Sequence, residues 1–239
     1  MTGPADERMN PQATASAITA STKLSRAAQR EATARAAVRH LTRANPRLGA
    51  LIRKIGPHRP VITPNSFVAL VGSILQQQVS MSAAAAVQKR LKALCPRGRV
   101  TPAAILELSD GNLRGAGLSR QKAKYIRSLA EHFASGTLSS RKLRSMTDEG
   151  VIAATTQVKG VGRWTAQMLL IFCLERPDVW PIDDLGLRKA VRNFLGLGDL
   201  PEMETMQATG EPWRPYRTYA SWYLWRSLEG PFMPGVALA

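Results

Sequence analysis

"VKGVGRWTAQMLLIFCLERPDVWPIDDLGLRKAV", Val158 to Val191, decides how this chain is read. Gly160 and Gly162 flank a single valine, with helical patterning before them and an apolar helical run after. Glycine reaches φ > 0 without a Cβ penalty, so the pair lets the backbone reverse sharply between two helices. It also clears side chains from the outside of the turn. The amides that open the next helix then point outward, a ready site for a phosphate. Lys159 and Arg163 flank the turn with positive charge. A plain corner between helices would also use two glycines; the basic flanks shift the reading towards a polyanion. Some twenty residues further on, Asp183 and Asp184 stand side by side where another helix begins.

The whole chain supports a polyanionic partner. Lys and Arg number 33 against 17 Asp and Glu, a formal net charge of +16 over 239 residues. Residues 1–45 hold seven of the basic residues and three of the acidic ones. Most of the excess therefore belongs to the part that folds, and nucleic acid is the commonest partner for such a surface. Hydrophobic residues make up 44% of the chain, enough for a core. The two cysteines, Cys95 and Cys173, lack metal-type spacing and cannot supply the four thiolates of an iron–sulfur cluster. Cys173 lies in an apolar run and reads as core. A reducing compartment is expected: cytoplasm or nucleoid in a bacterium, nucleus in a eukaryote. No apolar run reaches about 18 residues, so no membrane span is expected. Residues 1–30 read as a weakly structured basic tail, with an Arg-rich targeting peptide as the other option.

Working outward, nearly every periodic stretch reads as helix. One helix runs to about Thr42 and breaks at Asn45-Pro46, and a short second one follows. Ser66 caps a helix that buries Phe67, Leu70, Val71, Ile74 and Leu75 on one face. That pattern breaks at Gln76–Ser80, and Met81–Leu94 resumes it. Thr101 with Pro102, Ser119 and Asp148 open further helices. Arg163–Glu175 is an apolar helix ended by Pro177. Asp183 or Asp184 begins the next, through Leu195. The last helix has Pro215 near its start and Gly230 after its end. No strand alternation or internal repeat is visible. The fold class is all-α, one domain over residues 31–239, arranged as two packed helical lobes.

"VKGVGRWTA" resembles the helix-hairpin-helix of the DNA glycosylase superfamily named for that hairpin. "PIDDLGLRKAV" follows at the family's spacing. "LVGSILQQQVSMSAAAAV" and "GLSRQKAKYIRSLA" resemble two further blocks of its alkylbase branch, 3-methyladenine DNA glycosylase II. The resemblance covers about residues 40–230. It implies a helical two-lobed fold with the active site in the cleft, and an enzyme that flips a damaged base from DNA and hydrolyses its N-glycosidic bond.

The resemblance implies roles residue by residue. Asp184 matches the catalytic aspartate, which leaves Asp183 as the helix cap. Cleavage builds positive charge on the sugar, and a fixed carboxylate stabilises it and orients or deprotonates water. Lys159, Gly160, Val161, Gly162, Arg163 and Thr165 would grip the DNA backbone. Gln78 matches the position that fills the gap left by the flipped base. Trp164 stands where strand-cleaving relatives carry a lysine that forms a Schiff base. An indole cannot do that chemistry, so a monofunctional glycosylase without lyase activity is expected. An indole face does suit an alkylated, cationic base. Met168, one turn on, shares that face. Trp180 and Trp222 are further candidates for the pocket wall, against plain packing. Lys159 replaces the proline common in the family hairpin. The resemblance also implies a monovalent cation, Na+ or K+, on the backbone carbonyls of Thr156, Val158 and Val161. No redox or organic cofactor is expected, and no side-chain metal site is visible, since His40, His58 and His132 are scattered.

The expected partner is double-stranded DNA containing a damaged base, met by a monomer. Two rival readings share the charge and the glycines. A non-catalytic DNA clamp leaves Asp184 and Trp164 without a purpose. A glycosylase for uracil or a mismatched base needs donors and acceptors on the pairing edge, where Trp, Met and Gln are the visible candidates. A basic helical protein of RNA assembly is bounded by charge alone.

Overall fold

The structure is a computed structural model that describes the backbone of residues 11–228 and the side chains of residues 27–228 except Met81. The described residues form thirteen α-helices and no strand. They are α1 (Pro11–Ala44), α2 (Pro46–Ile55), α3 (Ser66–Gln76), α4 (Met81–Leu94), α5 (Pro102–Glu107), α6 (Asp110–Gly115), α7 (Arg120–Ala134), α8 (Ser140–Ser145), α9 (Asp148–Thr155), α10 (Arg163–Phe172), α11 (Leu185–Leu195), α12 (Met203–Gly210) and α13 (Arg217–Leu228). None is long and apolar enough to cross a membrane among the described residues.

Two hydrophobic cores make the two lobes. Helices α3 to α10 close over one core that includes Leu70, Ile74, Leu113, Ile126, Leu129, Val151 and Leu170. The chain ends build the other, from Leu41, Leu48, Leu187, Val191, Trp213, Tyr223 and Leu224. Trp225 packs against both. The segment leaving α10 is laced to the start of α13. Arg217 Nε donates to Asp178 Oδ1 at 2.8 Å, and Thr218 Oγ1 donates to the Arg176 carbonyl while accepting the Val179 amide. These bonds lock the lobes where α10 and α13 face each other.

Several boundaries differ from the sequence expectation. Asn65, not Ser66, caps α3: its Oδ1 accepts the amides of Phe67 and Val68, while Ser66 is buried against Cys173 Sγ. Thr147, not Asp148, caps α9 through the Gly150 amide. Helix α10 ends at Phe172 rather than Glu175, because the amides of Leu174 and Arg176 turn back to Leu169 and Leu170 and Glu175 takes φ of 59°. The last helix starts at Arg217, past the proline. Helices α6, α8 and α12 were not expected; each of the first two is a six-residue element fixed by a serine cap, Ser109 and Ser139. Of the expected tail, residues 1–10 lie outside the described residues. Residues 11–30 form the first part of α1, an alanine-rich stretch with a proline only at its first position, where helices accept it. Gly230 also lies outside the described residues.

Candidate active site

The hairpin comes first. Helix α9 ends at Thr155, and two short backbone bonds, Val158 N to Thr155 O and Val161 N to Val158 O, turn the chain. Val158 and Val161 anchor the turn by burial in the first lobe. Gly160 has φ of 85°, and a Cβ there would lie 2.1 Å from Tyr125 Cδ2, so both backbone and space demand glycine. Gln77 Nε2 donates to the Gly160 carbonyl at 2.8 Å, tying the α3–α4 turn to the hairpin. Gly162 differs. Its φ of −94° suits any residue, and an added Cβ would meet nothing within 4 Å. Its bareness serves no internal contact and keeps the outer face of the turn open.

Gly162 caps α10 without a side-chain bond, so the first amides of that helix point outward uncapped. Lys159 is exposed beside them. Arg163 is exposed too, but its guanidinium is paired in two bonds with Glu149. Thr165 is buried, so only its amide can face a ligand; its place in the first turn of α10 points the side chain inward. Gln78 is exposed at the tip of the α3–α4 turn with φ of 57°. A cavity of about 460 Å3 separates this turn from the hairpin, with Ser119, Lys122 and Tyr125 behind it. Lys122 Nζ donates to the Leu75 carbonyl at 2.7 Å, and burial lowers its pKa.

Asp184 stands beside the first turn of α10, within hydrogen-bond reach of Trp164. It is the N-cap of α11, where its Oδ1 accepts the Leu187 amide at 2.6 Å. The sequence reading divided two roles, cap for Asp183 and chemistry for Asp184. The structure leaves Asp183 exposed and gives the cap to Asp184, because the Pro181–Asp184 turn brings the second aspartate into line with the helix. Two indoles complete its hydrogen bonding. Trp164 Nε1 donates to Oδ2 at 2.7 Å, and Trp225 Nε1 donates to Oδ1 at 2.8 Å. Oδ1 is thereby saturated, and Oδ2 keeps one free lone pair. Gly186 makes room: a Cβ there would lie 3.1 Å from Asp184 Oδ1 and 3.4 Å from Trp225 Cδ1.

A wall continues from this carboxylate. Trp164, Met168 and Phe172 are spaced by four along one face of α10. Trp164 is 37% exposed. Phe172 stacks on Trp225 with centroids 6.0 Å apart and an interplanar angle of 29°. The wall is aromatic, with one carboxylate at its edge.

Two expected wall residues are elsewhere. Trp180 is buried in the second core, where its indole donates to the Met206 carbonyl at 2.7 Å and its ring meets Trp213 edge-on. It therefore cannot line the cleft. Trp222 packs on His58 at 4.7 Å and under Arg226. It lies one turn before Trp225 but about 60° round the helix, which turns it to that cluster instead of Asp184. The residue missed was Trp225. The aromatic run "SWYLW" was its signal, but the pairing across 41 residues was not in the local pattern. Gln77, beside Gln78, carries no local mark of its bond to the Gly160 carbonyl, which spans 83 residues. No group of three or more His, Cys, Asp or Glu that could hold a metal occurs among the described residues.

The chain is similar to known proteins in sequence and in fold. The chain is 34% identical over 183 residues to DNA-3-methyladenine glycosylase 1 of Schizosaccharomyces pombe, covering 76% of this chain and 80% of that one. It is 30% identical over 197 residues to the alkylbase DNA glycosidase-like protein mag2 of the same organism, covering 80% and 92%. Among solved structures, it matches the S. pombe 3-methyladenine DNA glycosylase in complex with abasic DNA with a TM-score of 0.75 and 32% identity, over 83% of this chain and 99% of that one. It matches a DNA-3-methyladenine glycosidase from Bacillus halodurans with a TM-score of 0.74 and 34% identity, over 81% and 89%. Residues 71–215, the hairpin and Asp184 among them, match the family model itself, and the chain belongs to the HhH-GPD superfamily of base excision DNA repair proteins.

Proposed function

We propose that this protein is a monofunctional DNA glycosylase that excises alkylated bases, of the 3-methyladenine and 7-methylguanine type, in base excision repair. The observation that carries it is Asp184, a carboxylate oriented by two indole N–H groups at the edge of an aromatic wall. The relatives named for 3-methyladenine supply the substrate class.

The parts fit one sequence of events. The open face at Gly162, the uncapped amides of α10 and Lys159 receive a phosphate of duplex DNA. The damaged nucleotide leaves the stack, and Gln78 fills the space it vacates. An alkylated base carries positive charge, so the faces of Trp164 and Trp225 attract it. The same charge makes it a good leaving group that needs no acid. As the glycosidic bond breaks, the sugar becomes oxocarbenium-like, and the fixed negative charge of Asp184 lowers the energy of that state. The free lone pair of Oδ2 can orient the attacking water. With Trp164 in place of a lysine, no Schiff base forms and the product is an abasic site.

A monovalent cation on the carbonyls of Thr156, Val158 and Val161 suits neutral oxygen donors, although Val158 O also accepts the Val161 amide at 3.0 Å. When bound, it adds positive charge where the phosphate approaches. The acting unit is a monomer, and it works where DNA is held, in nucleoid or nucleus. Base release from methylated duplex DNA tests the proposal: free alkylated base with strand breaks only after alkali supports it. Release of uracil or a mismatched base instead would move the substrate class. DNA binding without any release would leave a clamp.

A further inference from the structure

Gly72 lies inside α3 and is buried, yet a Cβ built there would meet nothing within 4 Å. Protein interiors are close-packed, and alanine fits a helix interior better than glycine. A buried helical glycine beside free space therefore works against stability unless the space has a use. That space is a cavity of about 30 Å3 between α3 and α10, bounded by Val68, Gly72, Ser73, Met168, Leu169 and Phe172 among others. It is about the share of one water molecule in the liquid, or one methyl group. The lining is mostly apolar, and Ser73 Oγ spends its proton on the Ala69 carbonyl at 3.1 Å. It shares two lining residues with the wall of the site. Met168 and Phe172 belong to the α10 row that begins at Trp164, and Phe172 stacks on the Trp225 that holds Asp184.

We infer that this cavity is a subsite that receives the alkyl substituent of the excised base, and that Gly72 keeps it open. The inference rests on the alkylbase activity proposed above. A methyl group fills the space and meets apolar neighbours on most sides. An ethyl group exceeds it, and an unsubstituted base leaves it unused. The subsite selects for a small alkyl group by shape, where the indoles select for charge.

The test compares the native protein with Gly72→Ala. Free 3-methyladenine, 3-ethyladenine and adenine are titrated by quenching of tryptophan fluorescence, and base release is followed from methylated and ethylated duplex DNA. The native protein should bind and release the methylated base at least tenfold better than the ethylated one. Gly72→Ala should weaken 3-methyladenine binding and slow its release at least tenfold. Its affinity for a duplex with an abasic site should stay within twofold, and its Tm should not fall. Unchanged 3-methyladenine binding in the variant, or no methyl–ethyl discrimination in the native protein, overturns the subsite alone. A lowered Tm would show that the space is not free and also overturns it. A native protein that neither binds nor releases any alkylated base overturns the activity on which it rests.

Discussion

Trp225→Phe isolates one hydrogen bond. Phenylalanine keeps a ring to stack on Phe172 but loses the indole N–H that reaches Asp184 Oδ1 at 2.8 Å. The carboxylate would still accept the Leu187 amide and the Trp164 indole. α11 should therefore stay capped and the fold intact. A hydrogen bond to a charged group contributes about 1.5–3 kcal/mol. Trp225 is half-buried, so water can replace part of the bond, and the low end applies. With about 1.4 kcal/mol for each factor of ten in rate, the loss should be about tenfold. It should fall on the chemical step, because a carboxylate free to pivot stabilises the sugar cation less well. The assay is single-turnover release of methylated base, with affinity for an abasic duplex as the control. A rate within twofold of native, or a faster one, would show that the indole does not orient Asp184.

Gly160→Ala and Gly162→Ala should separate stability from binding. The first forces a Cβ to 2.1 Å from Tyr125 at positive φ and should lower stability by more than about 1–2 kcal/mol, measured by chemical denaturation. The second enters free space at ordinary φ and should leave stability within about 0.5 kcal/mol while weakening DNA binding; equal loss of stability in both would contradict the turn geometry. His58, packed against Tyr219 and Trp222, has its pKa lowered by burial from 6.5 to about 4. Between those values the unfolded chain binds a proton that the folded one does not, so stability falls as pH drops from 6.5 towards 4. The full effect is about 3 kcal/mol. Denaturation of the native protein and His58→Phe at pH 7 and 4 should show that extra loss only in the native protein.

Helix existence was legible because apolar spacing survives in one dimension. Phe67, Leu70, Ile74 and Leu75 are all buried, as their spacing implied. Caps were harder where two capping residues adjoin. Asn65-Ser66, Thr147-Asp148 and Asp183-Asp184 each offered two candidates, and the chain direction entering the helix chose between them. The hairpin was legible because a glycine at φ of 85° leaves a local mark. The carboxylate's surroundings were not. Trp225 reaches Asp184 only because α11 and α13 pack together, and Trp180 is withdrawn because the second core claims it. Tryptophan in a helical run states its size but not its face.

The most direct measurement compares base release from methylated duplex DNA by the native protein and Asp184→Asn. Asparagine is as good an N-cap as aspartate, so α11 should hold. The variant removes the negative charge and turns an amide N–H toward one of the indole donors. The account predicts free 3-methyladenine or 7-methylguanine from the native protein, strand breaks only after alkali, and at least a hundredfold slower release by the variant at unchanged DNA affinity. Release by Asp184→Asn at close to the native rate would contradict it.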